Sequence, residues 1–190
     1  MKRLFTLILL FALVAFLYFL IKDQIYTFSL VLQEAPRTLP IPVEGVAVTS
    51  LQNTWGAPRT ERRHHQGIDI FAPRGTAVFS STNGVIWRVG QNRLGGNAVW
   101  VLGPGGQMHY YAHLDHFADI AAGTRIYQGE IIGYVGNTGN ARGTPPHLHY
   151  GIYTISGEAI NPYLLLSTPA NLLAVLESSG GRRLCRPVTI

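Results

Sequence analysis

Between Thr49 and Tyr163 the apolar runs are short, and glycine, proline or asparagine cuts each of them; this constrains the fold more than any other feature. No amphipathic helical period persists through the region, so the runs read as strands joined by turns. Ala77–Phe79 and Val85–Val89 flank Ser80-Ser81-Thr82-Asn83-Gly84, a hairpin signal because Asn-Gly supplies positive φ at low cost. Asn97–Leu102 and Met108–His113 flank Gly103-Pro104-Gly105-Gly106, a second hairpin signal. Glu130–Val135 and His147–Ile155 bracket the loop from Gly136 to Asn140. The expected body, residues 49–165, is all-β: a mainly antiparallel, sandwich or barrel-like domain.

The N-terminus has a different texture. Leu4 to Ile21 is an uncharged apolar stretch preceded by Lys2 and Arg3. As a helix these eighteen residues extend roughly 27 Å, close to the hydrocarbon thickness of a bilayer. Its apolar residues occupy every face, which argues against a core helix. A cleaved signal peptide is the alternative, but no small-x-small site follows Ile21, so residues 1–21 are expected to be an uncleaved transmembrane anchor. Lys2 and Arg3 predict a cytoplasmic N-terminus, with the body outside the cytoplasmic (inner) membrane. Residues 22–48, with Pro36, Pro40 and Pro42, read as an extended linker, unless part of it packs back on the domain. Thr168-Pro169 predicts an N-cap and first helical residue for a short helix to about Glu177 within residues 166–190, whose basic tail is expected to be mobile.

The formal charge is +5, and residues 35–190 keep twelve basic against eight acidic residues. Such a surface either suits an anionic polymer or lipid or is a solvated face with modest excess charge. Nucleic acid is a poor alternative and no such partner is expected, because the arginines are scattered and the expected compartment is extracytoplasmic. Cys185 is the only cysteine, so no internal disulfide can form.

Chemistry gathers in three phrases: His65-Gln66-Gly67-Ile68-Asp69, Tyr111-Ala112-His113 and Pro146-His147-Leu148-His149. Imidazole and carboxylate are ligands that zinc accepts, and a catalytic zinc keeps three of them with one position open. Five candidates exceed what a structural site needs, which suggests ligands plus groups that handle protons. On a strand, His147 and His149 share a face about 6.6 Å apart. His65 and Asp69 would be about 13 Å apart on a regular strand, and Gly67, Ile68 and Ile70 disfavour a helix. The segment must therefore bend, with Gly67 permitting it. Asp69 sits between two isoleucines, and burying its carboxylate is costly unless a cation satisfies it. His109, Tyr111 and His113 alternate onto one face, which is either the floor of a site or a polar exterior. His64 and His116 read as surface neighbours.

Taken together these residues resemble the lysostaphin-type (LytM-like) M23 zinc metallopeptidases, which cut peptides of bacterial peptidoglycan. The resemblance runs from Trp55-Gly56 to Asn161-Pro162-Tyr163 and includes Asn83-Gly84, Gly96-Asn97 and Val135-Gly136-Asn137-Thr138-Gly139. It implies a mostly antiparallel β fold with a groove for an extended peptide. It implies that His65, Asp69 and His149 bind Zn2+, and that His113 and His147 act on the activated water and the transition state. The sequence departs from the family pattern at Ala141-Arg142-Gly143-Thr144-Pro145-Pro146 and at Gly151, near the groove and not at a ligand. The expectation is therefore a zinc endopeptidase acting on peptidoglycan peptides, with a regulatory partner left open. The rival classes are a wall-binding module without activity, which should have lost ligands, and a cytoplasmic phosphocarrier, which should lack the anchor.

Overall fold

The short apolar runs do pair as strands, and those at Gly96–Leu102 and 109–114 are buried on both faces. The computed structural model describes residues 2–58 and 64–168. A helix, α1 (Lys2–Leu32), precedes nine strands: β1 (Ile68–Phe71), β2 (Ala77–Phe79), β3 (Gly84–Asn92), β4 (Gly96–Leu102), β5 (Met108–Phe117), β6 (Arg125–Ile126), β7 (Ile131–Val135), β8 (His147–Tyr153) and β9 (Ala159–Ile160). A short helix, α2 (Pro162–Ser167), follows. The main path of the sheet runs β1-β8-β5-β4-β3-β6. Strand β7 joins β5 to β2, and β9 adds to β8. All these pairs are antiparallel. Ile68, Ile86, Val99, Tyr111, Leu148 and Tyr150 are wholly buried and form the centre of the core.

The second hairpin forms as expected: β4 and β5 pair around a tight turn at Pro104–Gly106. The first does not. Strand β2 pairs with β7, and β3 pairs with β4 and β6. Asn83 and Gly84 both keep negative or extended φ. Glycine is needed at 84 for clearance, since a Cβ there would lie 2.2 Å from the Leu102 carbonyl oxygen and 2.9 Å from Val101 Cγ1.

Residues 22–48 divide in two. Helix α1 continues through Lys22 and Asp23 to Leu32, because no glycine or proline interrupts it before Pro36. Leu30 is only 1% exposed and packs with Val85 and Leu102. Residues 39–44 then lie along the domain: Leu39 N–H donates to Leu165 O at 3.0 Å, Phe79 N–H to Pro42 O at 2.9 Å and Glu44 N–H to Ala77 O at 3.1 Å. The last two bonds cover the otherwise open edge of β2. By contrast, every side chain from Leu4 to Ile21 is exposed. Helix α1 is long and apolar enough to cross a membrane.

The expected helix from Thr168 to Glu177 lies outside the described residues but for its first position. Helix α2 uses the same start signal earlier, with Asn161 Oδ1 accepting from Tyr163 N–H at 3.0 Å and Pro162 at the first helical position.

Replacing Gly84 by alanine drives a methyl group into backbone, so Gly84→Ala should lower the unfolding free energy by about 1–3 kcal/mol. Gly90→Ala, where a Cβ meets nothing within 4 Å, should lose much less. Paired urea titrations of the two variants check this.

Candidate metal centre

The β1–β8 register sets the site. Asp69 lies directly opposite His149, and Phe71 lies opposite His147. His147 and His149 therefore share the face that carries Asp69, while Leu148 between them points into the core. His65 precedes β1 and reaches the same point because the chain bends before Ile68. Gly67 serves that bend sterically: a Cβ there would lie 2.7 Å from His149 Cε1 and 2.6 Å from Tyr150 O. No other residue leaves room for the His149 ring.

His65 Nε2 lies 2.8 Å from His149 Nδ1, and Asp69 Oδ1 lies 3.2 Å from each. A tetrahedral ion roughly 2.0–2.1 Å from each donor would separate the donors by roughly 3.3 Å. The three atoms thus fit three corners of one coordination shell. Asp69 is 8% exposed and His65 5%, so the carboxylate is largely out of water. Its backbone N–H donates to Thr54 Oγ1 at 2.9 Å. His65 Nδ1–H donates to Thr54 O at 2.8 Å. A neutral imidazole has one ring proton, so this bond leaves Nε2 a bare lone pair aimed at the other two donors. Converging lone pairs of this kind suit a cation, and the residues present fit a borderline divalent metal such as zinc.

His113 and His147 are held in the same tautomer by the same device. His113 Nδ1–H donates to Thr138 O at 2.9 Å, and His147 Nδ1–H to Pro145 O at 2.8 Å. Each therefore presents a bare Nε2. Their ring centroids are 5.1 Å apart, and His113 is 5.8 Å from His149. Burial, together with the neighbouring His149 and His147, pushes the His113 pKa down to about 4, so this imidazole is neutral at neutral pH.

The alternation expected along β5 breaks at His113. Ala112 pairs with His149 and Tyr111 with Tyr150, so regular geometry would turn His113 toward the core with Tyr111. Among the described residues His113 alone, apart from glycines, has positive φ, at 64°. There β5 leaves β8 and passes to β7 through Leu114 and Val135. The left-handed residue swings the ring back to the His149 face at a cost of roughly 1–2 kcal/mol. His109 stays in the core, fully buried, with Nδ1 2.7 Å from the Tyr150 hydroxyl. It is therefore no part of the site floor. His64 and His116 are exposed, the latter beside Asp115 and stacked on Tyr134.

Three supporting groups carried no sequence signal: the carbonyls of Thr54, Thr138 and Pro145. Every residue has a carbonyl, so only the fold reveals which ones orient a ring. Arg74 bonds to both Asp115 and Asn137, tying the β1–β2 turn to the loop that leads to His147. Gly151 is closely covered, since a Cβ there would lie 3.0 Å from the Tyr153 ring, and Tyr153 donates its hydroxyl to Gln66 O at 3.3 Å.

With fold and donors in view, the likeness to known proteins is specific. Residues 63–162, over half the chain, match the model of Peptidase family M23. The chain belongs to that family, the lysostaphin-type metallopeptidases that its motifs resemble. It is 38% identical over 135 residues to the L-Ala--D-Glu endopeptidase of Bacillus subtilis (strain 168), covering 65% of this chain and 41% of that protein. It is 35% identical over 98 residues to the peptidoglycan DD-endopeptidase ShyC of Vibrio cholerae, covering 52% and 22%. The matches thus span less than half of either relative. The catalytic domain of the antimicrobial peptidase lysostaphin from Staphylococcus simulans superposes with a TM-score of 0.57 at 27% identity, covering 64% of this chain and 96% of that domain.

Burial lowers the His109 pKa from 6.5 to about 3. The folded chain then binds fewer protons at this site than the unfolded chain, so stability declines as pH falls from about 6.5 toward 3. Urea midpoints should drop between about pH 7.5 and pH 5, and His109→Gln should flatten that drop.

Proposed function

We propose that this chain is a membrane-anchored zinc endopeptidase that hydrolyses amide bonds in the peptide part of bacterial peptidoglycan. The reading rests on one observation, the 2.8–3.2 Å convergence of His65 Nε2, Asp69 Oδ1 and His149 Nδ1. In this reading those three atoms hold Zn2+. Zinc, when bound, acidifies a ligated water toward pKa about 7 and polarises a carbonyl oxygen. His113 and His147 supply the proton handling. Each has a bare Nε2 facing the site, able to accept a proton from the attacking water and, once protonated, to donate to developing negative charge or the leaving amine. Burial of His113 keeps it in the neutral form that such a base requires. The carbonyls of Thr138 and Pro145 hold both rings in place through the cycle, since an imidazole protonated on Nε2 keeps its Nδ1–H bond.

Peptidoglycan as substrate is supported by the family and by the Vibrio cholerae relative, a peptidoglycan DD-endopeptidase, and an amide bond by the Bacillus subtilis relative, an L-Ala--D-Glu endopeptidase. The anchor is supported by the exposed apolar length of α1 and by its continuation into the domain. Cleavage after Ile21 would sever a helix whose last turns the domain packs against. The anchored topology leaves residues 33–168 on the extracytoplasmic side of the inner membrane.

Digestion of purified peptidoglycan, with mass spectrometry of the released fragments, tests the activity. New peptide amino termini are expected, abolished by a zinc chelator and restored by Zn2+. Metal-free protein that yields no new termini would refute the enzyme reading and favour a binding module.

Two variants separate the roles. His149→Ala should lose bound zinc and activity together. His113→Ala should retain zinc by metal analysis while kcat falls about 10²–10⁴-fold; full turnover in that variant would remove His113 from the mechanism.

A further inference from the structure

The last turns of α1 cross the sheet in a defined direction. Leu102, Val85 and Arg125 form one row across three neighbouring strands, with Val85 paired to both of the others. Leu30 packs on Val85 and Leu102 at one end of the row. At the other end Arg125 Nη2 lies 3.0 Å from Asp23 Oδ1 and 3.4 Å from Lys22 O, with its guanidinium 4.2 Å from the Tyr26 ring. From Leu30 back to Asp23 is about 10 Å of helix, close to the two strand spacings of roughly 4.8 Å that separate Leu102 from Arg125. Helix α1 therefore runs across the strands and leaves the sheet over β6, its terminal strand.

This fixes what faces a bilayer. The uncharged run ends at Ile21, and Arg125 touches the next two residues. Its guanidinium thus sits a few ångströms beyond the hydrocarbon, within the polar layer of about 5–8 Å on each side of it. Since α1 crosses the strands, the strands lie roughly in the plane of that bilayer. Tyr127 follows β6 directly, two residues beyond Arg125, and Trp87 stands two beyond Val85 in β3, so each lies within about 7 Å along the chain of the Val85–Arg125 pair. Because β3 and β6 are antiparallel, they flank Arg125 on opposite sides, Tyr127 level with Arg125 and Trp87 one strand spacing, about 4.8 Å, further from the bilayer. Trp87 is 60% exposed and Tyr127 55%. The β3–β4 register shifts between Ile86 and Arg88, so Trp87 is the extra residue of a bulge, a device that re-aims side chains. Tryptophan and tyrosine favour the lipid–water interface, and exposed Arg88 adds positive charge toward anionic headgroups.

We infer that Trp87 and Tyr127, with Arg125 between them, form a second membrane contact that seats the domain on the phospholipid headgroup layer. The inference rests on the anchored reading of α1 and is tested separately from it. The full-length chain is reconstituted into phosphatidylcholine–phosphatidylglycerol vesicles whose acyl chains carry bromine either near the glycerol or near the chain ends. Flotation with the vesicles tests the anchor, and a chain that stays behind removes anchor and seat together. In a floating chain, a Trp55→Phe, Trp100→Phe form that retains only Trp87 should lose most of its emission to the shallow bromines and little to the deep ones. The Trp87→Phe form, retaining Trp55 and Trp100, should keep its emission with either lipid. A floating chain whose Trp87 emission is unaffected by shallow bromine overturns the seat while leaving the anchor standing.

Discussion

A carboxylate removed from water is the constraint around which the site is organised. Asp69 projects from β1 with Ile68 and Ile70 buried on either side, and only the opposite face of the strand offers it polar company. The β1–β8 register supplies His149 and the bend before β1 supplies His65. Thr54 serves both ends of this arrangement, accepting from the Asp69 backbone through its hydroxyl and from His65 through its carbonyl. A negative charge so enclosed is stable when a cation shares it, so the folding problem and the binding problem have the same solution.

The second organising device is conformational. His113 is a β-strand residue with left-handed backbone, and the strand changes partners where that residue sits. The cost of one strained residue is offset by pairing on both sides of it. Without the reversal, β5 would contribute a third core aromatic neighbour and the site would lose one imidazole. The tautomers of His65, His113 and His147 are set by backbone carbonyls, so their orientation depends on loop geometry and not on charged neighbours that could titrate.

Much of the architecture could be read from the chain. Short apolar runs with frequent glycine specified antiparallel strands, and His147-Leu148-His149 specified a shared face, because both depend only on local period. The failures have local causes too. Asn83-Gly84 looked like a turn because glycine is enriched where φ is positive, whereas here its missing Cβ admits the Leu102 carbonyl. The alternation of His109, Tyr111 and His113 was a sound periodic argument that one left-handed residue reversed. The length of α1 was underestimated because the apolar run ends at Ile21, although nothing after it breaks a helix until Pro36. The stretch with three prolines looked like a free spacer, yet Leu39 and Val43 are buried against the domain.

A helix that enters the body without a break has a mechanical meaning. Leu30 packed on Val85 and Leu102, and Asp23 paired with Arg125, couple α1 to the sheet, so a rotation or tilt of the helix is passed to the sheet that carries the donors. In the anchored reading the molecule explores its polymer by lateral diffusion as one stiff unit, and its working radius is set by the height of the domain itself.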